Sequence, residues 1–235
     1  MSSLSELKKE IHARTNLQKA KLLMRFFKTG RGEYAEGDVF LGIMVPEQRI
    51  LAKKFADISL SDTEKLLHSK YHEERLIALF IFTAQFEKGD EKTRRKIFSA
   101  YLANTRHINN WDLIDLSAPK IVGEFLFQEG KGIAVLKKLA RSEDLWERRI
   151  AVLATFQYIK YNSFEETLEI AELLLYDKHD LIHKAAGWML REVGKRSLVA
   201  EENFLKKYAV KMPRTMLRYA IEKFPEEKRK KYLTK

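Results

Sequence analysis

Three short segments of the sequence combine aromatic, acidic and basic side chains at spacings that could support chemistry. The first reads NNWDLID at residues 109–115. Trp111 and Asp115 are four residues apart, so in a helix that an asparagine can cap, both project from the same face. An aromatic ring beside a carboxylate is a plausible binding pair for a cation. The alternative is a packed tryptophan near a helix start, where an acidic residue interacts favourably with the helix dipole.

The second segment places two arginines side by side. It reads LWERRIA at residues 145–151, so Arg148 and Arg149 both stand at the start of an apolar helix. Adjacent residues in a helix cannot face the same way. One of the two could therefore point into a groove and bind a phosphate group through two parallel hydrogen bonds. The alternative is a solvated helix face on which Glu147 is the local partner.

The third segment places a glycine and a tryptophan inside a helix. It reads KAAGWMLRE at residues 184–192. Gly187 costs about 1 kcal/mol relative to alanine in a helix interior, which indicates close approach by another backbone or by a ligand. Lys184 and Arg191 lie one turn on either side of Trp188. The alternative is helix packing through Gly187, with Trp188 in the core.

The charge of the chain favours a polyanionic partner. The 235 residues carry a net charge of +11 and give a pI of about 9.6. Such an excess attracts polyanions through its long-range field, so DNA, RNA, a ribosomal surface and anionic membranes all satisfy it. The sequence contains no cysteine, which excludes disulfides, cysteine-based metal sites and cysteine nucleophiles.

Neither a metal site nor a membrane segment is indicated. His179 and His183 have the i, i+4 spacing of a helical metal site, but the His-Glu-x-x-His base and a third ligand are missing. No metal and no cofactor is therefore predicted. Residues 1–17 are charged and amphipathic, without the apolar core of a signal peptide, and the longest apolar run, 76–82, is too short to span a bilayer. We expect a soluble cytoplasmic protein, associated with the nucleoid if its source is bacterial.

Apolar residues recur with helical period along most of the chain, and no segment alternates convincingly with the period of a strand. A capping box with Ser61 as N-cap and Glu64 three residues later marks one helix start. The fold class is therefore predicted to be all-α. The pattern predicts helices over residues 3–14, 17–28, 47–57, 72–88, 91–103, 111–127, 131–140, 145–160, 164–175, 180–194, 198–208, 214–223 and 226–233.

Weak internal similarity points to stacked helix pairs. Polar or basic residues precede alanine-containing apolar runs after Glu73, Glu147 and Ile182. We expect a HEAT-like helical-repeat solenoid, a curved stack of antiparallel helix pairs, as a single domain over residues 1–235. A compact helical bundle is the alternative. Four of the ten glycines fall between residues 30 and 42, so about 29–46 is interpreted as an inserted loop, most simply a flexible connector.

Taken together, these segments resemble the AlkD-type DNA alkylation repair enzymes, which are built from HEAT-like helical repeats. The resemblance runs from about residue 20 to 195, and its motifs are specific in combination. It rests on WDLID at 111–115, WERRxA at 146–151, KAxGWxLRE at 184–192, FLGI at 40–43 and PExR at 46–49.

The resemblance implies roles for individual residues. The family's catalytic carboxylate corresponds to Asp115 and its two cleft tryptophans to Trp111 and Trp188. Its cleft arginine corresponds to Arg149, with Arg148 as the adjacent alternative. Two departures concern lesion contact, because a cleft tyrosine of the family falls on Phe26, and the stretch from Gly30 to Gly37 is an insertion. Residues expected to contact DNA are Arg148, Lys184, Arg191 and Phe26.

The resemblance implies a monofunctional DNA glycosylase that hydrolyses the N-glycosidic bond of cationic alkylated purines such as 3-methyladenine or 7-methylguanine. The expected partner is double-stranded DNA carrying such bases, bound by a monomer. We expect Asp115 to lie within one side chain of Trp111, Trp188 and Arg149. Two alternatives remain, a non-catalytic helical-repeat binder of structured DNA or RNA and a protein-interaction scaffold.

Overall fold

The computed structural model describes residues 3–130 and 132–234. It confirms the all-α prediction, since the only β-type pairing among these residues is an isolated parallel bridge between Val39 and Tyr71. The chain divides into two compact units, Met1–Ser117 and Ala118–Lys235. The repeat architecture and the single domain stay predictions. No helix in the part of the chain that the structure describes is long and apolar enough to cross a membrane.

The first unit is organised around a buried central helix. The helix over His72–Lys88 is buried without interruption from His72 to Thr83 and again at Phe86, and the helices over Val45–Lys54, Leu60–Leu67 and Glu91–Ala103 pack against it. A 3₁₀ turn over Thr105–His107 leads into the last helix of the unit. The helices are α1 (Leu4–His12), α2 (Leu17–Phe26), α3 (Val45–Lys54), α4 (Leu60–Leu67), α5 (His72–Lys88), α6 (Glu91–Ala103) and α7 (Trp111–Asp115).

The second unit begins with a π-helical turn and continues as paired helices. The helix over Asp180–Gly194 packs against both the helix over Leu145–Lys160 and the helix over Arg214–Ala220. Gly187 permits this packing, because a Cβ there would overlap the backbone oxygen of Met216. The prediction of close backbone approach is confirmed. The elements are a π-turn over Pro119–Gly123, α8 (Glu124–Glu129), α9 (Ile133–Ala140), α10 (Leu145–Lys160), α11 (Glu165–Leu173), α12 (Asp180–Gly194), α13 (Leu198–Tyr208), α14 (Arg214–Ala220), a 3₁₀ turn over Ile221–Lys223 and α15 (Glu226–Leu233).

Several predicted helix ends are wrong, and the largest difference has an identifiable reason. The helix predicted over 111–127 stops at Asp115, because Pro119 has no N–H to donate to the carbonyl of Asp115 four residues earlier. The capping box at Ser61 does not form. Ser59 is the N-cap of α4 and accepts a hydrogen bond from the backbone N–H of Asp62. The helix predicted over 131–140 begins at Ile133, and residue 131 itself lies outside the described residues.

A buried carboxyl group lies on α13 in the second unit. Glu201 on α13 is 2% exposed, and burial raises its pKa to about 8 although Lys228 partly opposes the shift. The carboxyl group occupies the space beside Gly194, where a Cβ would overlap it. At neutral pH this group is mostly protonated, so the unit buries a neutral acid there.

Candidate functional site

The short helix α7 presents Trp111 as a half-buried ring. Asn110 caps the helix, and its side-chain oxygen accepts the backbone N–H of Trp111 at 2.8 Å. The indole ring stacks on Phe27 with the ring centroids 5.1 Å apart and meets Phe26 edge-on at 6.0 Å. Its Nε1–H donates to the hydroxyl of Tyr34 at 3.2 Å. Trp111 is thus fixed by aromatic packing and by one polar contact.

The two carboxylates of α7 lie in different environments. Asp112 is 7% exposed, and its Oδ2 lies 2.8 Å from Nε2 of His72. Asp115 is partly exposed, on the same helix face as Trp111 by its spacing. Burial raises the pKa of the nearby Tyr101, and the charge of Asp115 adds to that shift. The helix therefore has one buried acidic residue, Asp112, and one that is partly exposed, Asp115.

His72 joins that interior to the glycine-rich loop. Its Nδ1 lies 2.8 Å from Oδ2 of Asp38, and Asp38 also accepts a hydrogen bond from Arg75 at 2.7 Å. Burial alone would lower the pKa of His72, but the carboxylates of Asp112 and Asp38 outweigh it and raise the pKa to about 9. Burial would raise the pKa of Asp38, yet His72 and Arg75 hold it below its ordinary value. We call these four side chains, Asp38, His72, Arg75 and Asp112, the buried ion cluster.

Sequence reasoning did not find the buried ion cluster. A signal was present, because four ionisable residues, HEER at 72–75, open the helix that contains the longest apolar run of the sequence, residues 76–82. Buried charges require partners, and the partners here come from residues far apart in sequence. The helical pattern of the sequence does not predict which distant residues pair.

A neighbouring contact explains the FLGI segment at residues 40–43. The carboxylate of Glu73 accepts the backbone N–H groups of Leu41 at 2.9 Å, Gly42 at 2.8 Å and Ile43 at 3.2 Å. Gly42 has φ of +83°, and a Cβ there would overlap the backbone oxygen of Asn16. Only glycine satisfies both the backbone angle and the close approach. The loop is therefore more than a connector, since its end is bound to the first turn of α5.

In the second unit the two adjacent arginines bind different partners. Arg149 is 5% exposed, and its guanidinium donates to the backbone oxygen of Leu181 at 2.7 Å. Arg148 donates to the carboxylate of Asp177 at 2.6 Å. It also donates to two backbone oxygens of the preceding loop, those of Ser142 at 3.0 Å and Glu143 at 2.8 Å. The sequence-based expectation that the arginines diverge is confirmed.

Helix α12 presents Trp188 on a partly exposed face, rather than in the core. Its Nε1–H donates to the carboxylate of Glu192 at 3.0 Å, one turn along the same helix. The ring lies 6.2 Å from Phe156. Lys184 forms an exposed i, i+4 ion pair with Asp180 at 2.7 Å, and Arg191 pairs with Glu222.

The candidate metal pair of this helix has a structural role. His179 is the N-cap of α12 and accepts the backbone N–H of Leu181 at 3.2 Å. His183 lies 2.6 Å from the backbone oxygen of Asp177. Across the described ranges, no group of three or more histidine, aspartate or glutamate side chains is arranged to hold a metal ion.

Comparison with known proteins decides the family. The family model described as "DNA alkylation repair enzyme" matches residues 7–224. The chain belongs to this family. No curated protein matches the sequence.

Solved structures similar to this DNA alkylation repair family member share its fold. A protein described as a predicted DNA alkylation repair enzyme from Enterococcus faecalis matches with a TM-score of 0.72 and 16% identity, over 90% of this chain and 97% of its own. AlkD2 from Streptococcus mutans matches with a TM-score of 0.57 and 17% identity, over 89% and 99% of the two chains. At such identities the likeness extends to the fold alone.

Two groups of predicted site residues are each gathered locally in this repair-family chain. In the first unit, Phe26 contacts Trp111, and Asp115 follows on the same short helix. Phe26 is 64% exposed, so an aromatic edge is available to a ligand beside Trp111. In the second unit, Arg149 bonds the first turn of the helix that also carries Lys184, Trp188 and Arg191.

Proposed function

We propose that this member of the DNA alkylation repair family is a monofunctional glycosylase that excises cationic alkylated purines from double-stranded DNA. The observation that supports the proposal most directly is the different exposure of the two carboxylates on α7. Asp112 is bound to His72 in the interior, whereas Asp115 is partly exposed one turn beyond the half-buried Trp111. Of the two acidic residues in the Trp-Asp-x-x-Asp segment, Asp115 is therefore the one that a substrate can approach.

The reaction needs only these side chains and water. An N3- or N7-alkylated purine carries positive charge, so it leaves as a neutral base when the glycosidic bond breaks and takes the bonding electrons. The sugar then has oxocarbenium character. Asp115 stabilises that cation and orients the water whose oxygen adds to the sugar carbon, as carboxylates do in glycoside hydrolysis. One proton of the water stays on the new hydroxyl group, and the other passes to the carboxylate of Asp115 or to solvent.

The tryptophans stabilise the charged base before it leaves. An aromatic face near a cation contributes about 0.5–2 kcal/mol, and more where water is excluded. We assign this role to Trp111 and Trp188. The preference for cationic lesions follows, because a neutral purine gains little from such a face and leaves poorly without protonation.

Basic residues hold the DNA backbone in this proposal. The family resemblance assigns the phosphate contact to Arg149, which is 5% exposed and donates to the backbone oxygen of Leu181, so a phosphate must replace that partner. The pair between Lys184 and Asp180 is exposed and contributes little to stability, so Lys184 can exchange its partner for a phosphate. Arg191 can do so only after release from Glu222.

Base release from alkylated duplex DNA tests the function. Asp115→Asn retains the shape and removes the charge, so we expect the release of 7-methylguanine to fall at least ~100-fold while duplex affinity changes little. Asp90→Asn is the matched control. It makes the same charge change at the N-cap of α6, where asparagine caps as well as aspartate, and we expect full activity.

The same assay separates the alternatives. An Asp115→Asn variant that releases base at the wild-type rate contradicts the proposal. Wild-type protein that binds the duplex but releases no base supports a non-catalytic DNA binder. Wild-type protein that neither binds nor releases supports a protein-interaction scaffold.

A further inference from the structure

The hydroxyl of Tyr34 is the polar partner of the Trp111 ring, and it comes from the glycine-rich loop. The indole Nε1–H of Trp111 donates to this hydroxyl at 3.2 Å across 77 residues of sequence. We propose that Tyr34 is a positioning residue that fixes the orientation of the Trp111 ring for contact with the damaged base. The inference rests on the proposed function and extends the site to a loop whose sequence alone suggested a connector.

The loop around Tyr34 has a defined conformation set by its own carboxylates. Glu33 accepts the backbone N–H of Gly30 at 2.8 Å, and Glu36 accepts that of Gly32 at 2.8 Å. Ala35, the next residue after Tyr34, is buried, and its N–H donates to the backbone oxygen of Lys28. These bonds fold the loop back on the end of α2, which fixes the place from which Tyr34 extends.

The buried ion cluster joins the base of this loop to α7. Asp38 follows Tyr34 by four residues, and Asp112 follows Trp111 directly. Both carboxylates lie 2.8 Å from a nitrogen of the same imidazole, His72. The imidazole of His72 therefore holds both the segment that carries Tyr34 and the segment that carries Trp111. The hydrogen bond between Tyr34 and Trp111 is a further link between these two segments.

Asn110 provides a second connection between the same two segments. It is fully buried, and its side-chain oxygen accepts the backbone N–H of Trp111. Its amide nitrogen lies 3.5 Å from Oδ2 of Asp38. The start of α7 is thus connected to the loop in two ways, through the side chain of its N-cap Asn110 and through the imidazole of His72.

The hydrogen bond from Tyr34 decides which way the indole edge points. An indole has a single N–H donor, and an unpaired donor near DNA would turn towards water or a phosphate oxygen. With the donor bound to Tyr34 and one face stacked on Phe27 at 5.1 Å and 21°, the ring plane is fixed by two perpendicular restraints. Cation–π stabilisation requires the face rather than the edge of the ring, so this restraint acts on the rate of base release.

The first test is spectroscopic and needs no substrate. The chain has three tryptophans, so an indole ¹H–¹⁵N spectrum of the full-length protein contains few signals, and Trp111→Phe identifies the signal of Trp111. We expect Tyr34→Phe to shift that signal and to speed its hydrogen exchange, with the signals of Trp146 and Trp188 unchanged. Tyr176→Phe, at a tyrosine that is 74% exposed, is the control and should move none of them.

The second test measures single-turnover release of 7-methylguanine and duplex affinity. The net worth of one hydrogen bond corresponds to roughly a three- to tenfold change in rate. We expect Tyr34→Phe to slow release by that factor while duplex affinity stays within about twofold of wild type. Tyr176→Phe should release base at the wild-type rate.

Each outcome has one meaning. An unmoved Trp111 signal in Tyr34→Phe overturns the inference, and so does a moved signal with an unchanged release rate. A wild-type protein that releases no base contradicts the proposed function alone, because the indole spectrum decides the contact between Tyr34 and Trp111 without substrate.

Discussion

The two predicted site tryptophans are held in opposite ways. Trp188 stands on α12, a helix of fifteen residues, and its indole N–H bonds Glu192 one turn along the same helix. Trp111 stands on α7, a helix of five residues, and its indole N–H bonds Tyr34 from a loop 77 residues earlier. The polar partner of Trp188 is thus local to its helix, whereas the polar partner of Trp111 depends on tertiary structure.

The difference follows from helix length. A helix of one turn cannot persist in isolation, because nucleation fixes several residues for a single hydrogen bond. Helix α7 therefore needs external restraints, which Asn110 and the buried ion cluster supply. Such clusters cost desolvation energy and are better understood as devices that specify one arrangement than as sources of stability.

The largest expected effect comes from removing one carboxylate of the buried ion cluster. Asp38→Ala leaves the charges of Arg75 and His72 without one of their buried partners, and we expect a loss of about 3–5 kcal/mol in the free energy of unfolding. Chemical denaturation at pH 7 measures it. Glu226→Ala breaks an exposed i, i+4 pair in the second unit and should cost under about 0.5 kcal/mol. Equal losses in the two variants would contradict the assignment of a buried cluster.

A smaller effect is expected from the protonation of His72. Its folded-state pKa of about 9 exceeds the ordinary value of 6.5, so the folded state holds the proton more tightly. The stabilisation is complete below pH 6.5 and is lost as pH rises through 9, a decline of about 2–3 kcal/mol. Unfolding measured from pH 6 to 10 should show this decline in wild type. His72→Gln should show a decline smaller by this amount, because only the part due to Glu201 below pH 8 remains, and a decline as large as that of wild type would contradict the role of His72.

The smallest effect concerns the neutral acid of the second unit. The pKa of Glu201 is about 8 in the folded protein against 4.5 ordinarily, so its contribution to stability is present below pH 4.5 and falls as pH rises towards 8. Glu201→Gln removes that loss. We expect a gain of about 1–2 kcal/mol at pH 8, because the amide must still find its own partners, and no gain at pH 4. Thermal unfolding at both pH values checks this. Destabilisation at pH 8 would mean that Glu201 is ionised and paired.

The sequence predicts the parts of this molecule that depend on local pattern. The bounds of α5, α6, α10, α12, α13 and α15 agree with those predicted, because helix propensity and the signals that start and end a helix depend on residues close in sequence. Gly187 predicts close backbone approach for the same reason, since its cost inside a helix is local.

Long-range partners are what the pattern cannot supply. The i, i+4 spacing in NNWDLID pairs Asp115 with Trp111, but the catalytic role of Asp115 comes from the family resemblance. The burial of Asp112 depends on His72, and the pairing of Trp111 depends on Tyr34, neither of which is a neighbour in sequence. Pro119 is the exception, because its effect on the predicted helix over 111–127 could have been read directly.

The imidazole of His72 also constrains the order in which the first unit can form during synthesis. Asp38 and His72 leave the ribosome well before Asp112, which lies 40 residues after His72. Chains emerge at roughly 5–20 residues per second, so the loop waits on the order of seconds for its second anchor. Until then the Nε2 of His72 lacks the carboxylate that binds it in the folded protein. The buried ion cluster is therefore completed only by α7, the last helix of the first unit. The Trp111 site cannot reach its final form until residue 112 has left the ribosome.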